Sequence, residues 1–148
     1  MNLPKKFEEY IRIGIVRKVS PDMSRANFLI KETNTTLEGL KEIVEKIGIN
    51  QRNANSIIKD CYDIIIELVR AKMLKEGYNA SGLGAHEAEV AFLSKIGFND
   101  NNVAFVNEIR YFRNSVTYYG KILSEDYAKK VFVFMNKITP KLYKILEK

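Results

Sequence analysis

Apolar residues recur at steps of three and four along most of the chain, and helix-breaking residues fall mainly between those stretches. Only three prolines and eight glycines interrupt 148 residues, which leaves room for long helices. The pattern predicts an all-α fold: an antiparallel up-and-down helix bundle with four or five main helices plus a short one. The length fits a single domain over residues 1–148 that buries its own core. Residues 1–19 read as an N-terminal helix extending from it. Pro4 suits a first turn, and Phe7, Tyr10, Ile11, Ile13 and Val16 give a loose period to about Lys18, interrupted by Gly14. Strand-like alternation is weak throughout.

Local signals place the helix ends. Ser20-Pro21-Asp22 reads as a start: a serine cap, a proline in the first turn, and an acid near the positive end of the dipole. The stripe from Ala26 to Ile47 follows, closed by Gly48. Asn50 is the expected cap of a third helix, whose stripe runs from Ala54 to Leu74 and stops at Gly77. Tyr78 to Gly84 reads as a loop. A short helix from about Ala85 to Lys95 comes next, then a fifth from about Val103 to Tyr119, capped within Asn99–Asn102 and stopped by Gly120. Ser124 opens the last helix, in which Pro140 is expected to form a kink or end the regular part.

The formal net charge of +6 favours anionic partners such as RNA, nucleotides or an acidic protein, and the scattered lysines fit a solvated surface equally well. No run approaches the ~18 apolar residues of a membrane span, so no membrane partner is expected. The first residues carry no apolar signal core. Cys61 is the only cysteine, so no disulfide forms within the chain and a reducing cytoplasm is the expected location. His86 is the only histidine, which cannot build a zinc site alone; no metal or cofactor is expected. Gly82-Leu83-Gly84 follows a helix and lacks the strand that nucleotide-binding glycine loops require. There is no nucleophile elbow and no recognisable catalytic triad.

The residues suited to chemistry lie on the fifth helix. At roughly 100° per residue, Phe105, Ile109, Phe112, Val116 and Tyr119 share one arc and read as its core stripe. Arg110, Arg113, Asn114, Thr117 and Lys121 share another, with Tyr118 beside it. Guanidinium groups grip phosphate oxygens by paired N–H bonds, and an adjacent asparagine can donate or accept. Arg110, Arg113, Asn114 and Lys121 are therefore the candidate phosphate ligands. An exposed charged face, or pairing with acids from a neighbouring helix, is the structural alternative. Asp60, Asp63, Glu67 and Arg70 form a polar stripe on the third helix. Asp63 or Glu67 could hold Arg110 or Arg113, or Glu67 could pair with Arg70. His86 could support the site as a base if the fold brings it to Arg113; a surface or capping role is the alternative.

Several of these features, in order, resemble the HEPN domain family ("higher eukaryotes and prokaryotes nucleotide-binding"). They are Ser20-Pro21-Asp22 before a long helix, Tyr62-Asp63 through Leu74 to Glu76-Gly77-Tyr78, His86-Glu87-Ala88 before Phe92-Leu93, and Arg110-x-x-Arg113-Asn114-x-x-x-Tyr118-Tyr119-Gly120-Lys121. The last is the most specific and is similar to archaeal members. The resemblance spans roughly residues 20 to 145. It implies a helical bundle, often a homodimer, and in many members a ribonuclease toxin paired with a small nucleotidyltransferase. It also implies a site built from an arginine, a polar neighbour and a histidine four to six residues on. Arg113 and Asn114 match the first two, and Tyr118 stands at the histidine position. Histidine exchanges protons near neutrality, whereas an unperturbed tyrosine titrates near 10. The expectation is thus a nucleotide- or RNA-binding protein. The alternatives are a metal-independent endoribonuclease using Arg113, Asn114 and Tyr118, and a non-catalytic scaffold.

Overall fold

The computed structural model describes residues 2–119 and 122–148, with the side chains of 117–119 outside the description. Six helices and one two-stranded sheet make up the described fold: α1 (Phe7–Arg12), β1 (Val16–Lys18), α2 (Met23–Lys46), α3 (Ala54–Glu76), β2 (Tyr78–Ala80), α4 (Ala85–Lys95), α5 (Asp100–Tyr119) and α6 (Glu125–Leu146). The chain is an all-α bundle, as its periodicity predicts. None of the described helices is long and apolar enough to cross a membrane.

α3 is the central helix. Thirteen of its 23 residues are buried, and only Ser56 and Glu76 along it are exposed. It packs against α2, α4, α5 and α6. The backbone N–H of Asp22, at the start of α2, donates to the Leu74 carbonyl near the end of α3, so these two helices run antiparallel. The Asn55 side chain accepts from the backbone of Leu123, and Lys75 donates to the Leu146 carbonyl, so α3 and α6 run in the same direction. Aromatic edges join α5 to α6 antiparallel, with Phe105 against Phe134 and Phe112 against Tyr127 at centroid distances of 4.6 and 5.1 Å.

The helix ends depart from the sequence signals in identifiable ways. Asp22, not Ser20, caps α2; its Oδ1 accepts from the Arg25 backbone at 3.0 Å. Asn50 accepts from the backbone of Arg52 and Asn53, which organises the turn before α3, and Asn53 holds the cap position. α6 does not end at Pro140 and continues to Leu146. The ring removes one helical donor, but Ile138, Leu142 and Leu146 are buried and hold the last turns against the core. Ser124 caps α6 as expected, accepting from the Tyr127 backbone at 3.1 Å.

The N-terminal segment departs most. The helix stops at Arg12, the chain turns at Gly14 with φ +85°, and Val16–Lys18 pairs antiparallel with Tyr78–Ala80. The expected helix to Lys18 and the expected loop after Gly77 are therefore the two halves of one small sheet. Phe7, Tyr10 and Val16 are buried in the common core. Phe7 sits edge-on to Phe92 and Tyr78, at 4.8 and 5.2 Å, which ties α1 to α4 and β2.

Candidate functional site

α5 starts where the Asn99 side chain accepts from the Asn102 backbone at 2.8 Å. Val103, Val106 and Ile109 are its fully buried apolar residues. Arg110, Arg113 and Asn114 share a helical arc of roughly 100° with Val103 and Val106, and all three are half-buried. The arginine face thus turns toward α3 and is not a solvent face. Phe105 and Phe112, expected at the centre of the core stripe, are instead half-buried on the flank facing α6. The expected packing of Tyr119, the stop at Gly120, and the roles given to Thr117, Tyr118 and Lys121 lie outside the described residues.

Arg113 has 23% of its side chain exposed. Its Nη2 lies 3.5 Å from Oδ1 of Asp63, which is 48% exposed. That is a long contact to a well-hydrated carboxylate, and such pairs hold weakly. The Arg113 Nε is buried with no hydrogen-bond partner among the described residues. Arg110 is better held: its Nε donates to Asn107 Oδ1 at 3.0 Å, and the buried Asn107 amide donates to the Asn2 carbonyl at 3.2 Å. The Asn114 side chain makes no hydrogen bond among the described residues. Below the arginines lies Tyr62, 2% exposed, whose hydroxyl is also buried and without a partner among the described residues. Burial pushes that hydroxyl's pKa up, as does Glu89, while the charges of Arg110 and Arg113 pull it down.

A second polar cluster adjoins this one. Arg70 grips Glu89 at two points, Nε to Oε2 at 2.6 Å and Nη2 to Oε1 at 3.1 Å, and its Nη1 reaches Glu67 Oε1 at 2.8 Å. His86 Nδ1 stands 3.3 Å from Glu89 Oε1. Burial alone would raise the Glu89 pKa, but the hydrogen bonds from His86 and Arg70, with their charges, outweigh it and hold the carboxyl below its usual range. Nearby, the Tyr10 hydroxyl is pushed up to about 12, by burial first and then by its hydrogen bond to Glu87.

Of the two acids expected to hold an α5 arginine, Asp63 lies against Arg113, whereas Glu67 pairs with Arg70 on its own helix. His86 is tied to Glu89 rather than to Arg113. Glu89, Asn107 and the buried hydroxyl of Tyr62 were not singled out by sequence. The three-residue steps Glu67–Arg70 and His86–Glu89 were the available signal for the second cluster. On the far side of Asp63, a cavity of about 270 Å³ between α2 and α3 gathers Glu32, Asp60, Asp63 and Glu67. Burial, then the charge of Asp63, raises the Asp60 pKa there. Another cavity, of about 440 Å³, lies between residues 3–8, α4 and the start of α5, and neither arginine lines it.

The arrangement offers two cationic donors, an amide and a buried hydroxyl around one helix–helix contact. Comparison with known proteins gives no match: no family model, no curated protein and no solved structure aligns significantly with this chain.

Proposed function

We propose that the α3–α5 contact binds the phosphate of a nucleotide or RNA. Arg113 and Arg110 supply the guanidinium donors, with Asn114 beside them and Lys121 as a further cationic ligand. In this reading the chain is a HEPN-like protein that works as a homodimer in the cytoplasm and alongside a nucleotidyltransferase, as half of a toxin–antitoxin pair. The observation that carries the reading is the state of Arg113. A guanidinium has five N–H donors. Among the described residues this one has a single loose contact to a half-exposed carboxylate and a buried Nε without an acceptor, and about a quarter of its side chain is open to solvent. A purely structural arginine is satisfied by its neighbours, as Arg70 is here. Arg113 retains the capacity to take an anion.

Fluorescence anisotropy with single-stranded RNA and with ATP tests this directly. Binding should weaken with added salt, and Arg113→Ala should reduce affinity by about tenfold or more while the helical signal is retained. If neither ligand binds, and Arg113→Ala alters only thermal stability, the reading is wrong and the arginine is structural. Incubation with total RNA in chelator adds the catalytic outcome: cleavage lost in Arg113→Ala would make the site a metal-independent endoribonuclease.

A further inference from the structure

Two buried donors at the α3–α5 contact have no acceptor among the described residues: the Tyr62 hydroxyl and the Arg113 Nε. They come from adjoining helices, and the residue after Tyr62, Asp63, touches the other end of the same guanidinium. Burying a hydroxyl without a hydrogen bond is unfavourable, and phenylalanine would fill the same space without that penalty. The Tyr143 hydroxyl likewise has no partner among the described residues, but the charge acting on it is that of Glu38 alone, whereas Glu89, Arg110, Arg113 and Asp63 all act on Tyr62, so two guanidinium groups stand near its hydroxyl. A hydroxyl donor beside two guanidinium groups matches the oxygen of an anion.

We propose that Tyr62 is the inner donor of the anion site, and that the group it reads is a terminal phosphate, a phosphomonoester at the end of an RNA or on a mononucleotide. This rests on the phosphate-binding reading above and narrows it. Depth favours a terminal group. Tyr62 lies beneath Arg113, 2% exposed against 23%. An internal phosphodiester carries a nucleoside on each side and has only two non-bridging oxygens. A terminal phosphate has three and no second substituent, so it can reach past Arg113 toward the Tyr62 hydroxyl. Both donors are covered in this conformation, so engagement requires the guanidinium to turn outward from Asp63. The 3.5 Å contact to a half-exposed carboxylate opposes that movement only weakly.

The test uses the full chain and one short ribo-oligonucleotide in three forms: 5′-phosphate, 3′-phosphate, and hydroxyls at both ends. One of the two phosphorylated forms should bind about tenfold tighter than the unphosphorylated form, as expected for a hydrogen bond to a charged group. Tyr62→Phe should abolish that preference, bringing the phosphorylated forms to the affinity of the unphosphorylated one, and melt no lower than the wild type. Equal affinity for all three forms, or a preference that survives Tyr62→Phe, overturns the role of Tyr62 while Arg113-dependent binding stands. Absence of any Arg113-dependent binding overturns both readings.

Discussion

Arg70 on α3 and Glu89 on α4 form a two-point ion pair, 2.6 and 3.1 Å long, in which the acid is almost wholly buried and the base is not. The asymmetry sets the cost of breaking it. Arg70→Ala strands the Glu89 carboxylate away from water with only His86 beside it. Glu89→Ala leaves Arg70 partly hydrated and still paired with Glu67. We expect Arg70→Ala to lose about 3 kcal/mol and Glu89→Ala about 1–2 kcal/mol, read from urea unfolding midpoints. The double change Arg70→Met with Glu89→Leu should recover most of the loss, because a buried pair replaced by apolar side chains of similar volume gives up little net stability. Equal losses in the two alanine variants would contradict the burial asymmetry.

The same carboxylate makes stability depend on acid. The Glu89 carboxyl titrates below its ordinary value of 4.5 in the folded chain, burial being outweighed by His86 and Arg70. As the pH falls below 4.5, the unfolded chain takes up this proton first. The stabilisation is therefore complete above that value and is lost as the pH drops through the folded pKa. Between pH 7 and 3, the stability gap between wild type and Glu89→Gln should stay constant at first and then narrow. His86→Ala should move the decline toward 4.5, since one of the groups holding the pKa down is gone. A gap that instead widens in acid would refute the assignment.

The long helices were legible because each carries a sustained stripe, α3 above all, with Gly77 stopping it and Ser124 opening α6. The sheet was not. Three residues per strand give too little alternation to register, and Val16–Lys18 is held by pairing with a segment some sixty residues away. Nor does the loss of one donor at Pro140 show in advance that buried neighbours will carry the helix past it. At the site, helical spacing puts Arg110, Arg113 and Asn114 on one arc but does not say which way that arc faces. Val103 and Val106 share that arc, and counting them with it would have turned the arginines toward α3. Glu89 stayed hidden because its main partner, Arg70, sits on another helix.

Gly77 joins the end of α3 to both β-strands and tolerates no side chain. Its φ is +82°, and a Cβ there would stand 2.5 Å from the Val19 carbonyl oxygen. The obstacle is backbone, because Val19 itself donates to the Gly77 carbonyl at 2.8 Å. We expect Gly77→Ala to destabilise by about 3 kcal/mol, combining left-handed strain with the forced shift of the β1–α2 connection. Gly48→Ala is the control. Its φ is a similar +83° but open space surrounds it, so it should lose only the strain, about 1 kcal/mol. Unfolding midpoints of the two variants separate the contributions, and equal losses would show that the contact with Val19 is relieved without cost.

Asp63 restrains Arg113 without satisfying it, which gives Asp63→Asn an unusual direction. The carboxylate is 48% exposed and 3.5 Å from Nη2, so its loss should change stability by no more than about 0.5 kcal/mol. It should, however, free the guanidinium and remove a negative charge beside any incoming anion. Two like charges several ångströms apart near a protein surface repel by about 1 kcal/mol or more at an intermediate dielectric. Affinity for RNA or nucleotide should therefore rise severalfold in Asp63→Asn, most at low salt, where screening is weakest. Combining it with Arg113→Ala should shrink the gain to the part that comes from the lost negative charge, because the rest passes through that side chain. A loss of affinity in Asp63→Asn would mean that the carboxylate orients Arg113 for its ligand, and the restraint argued here would be reversed.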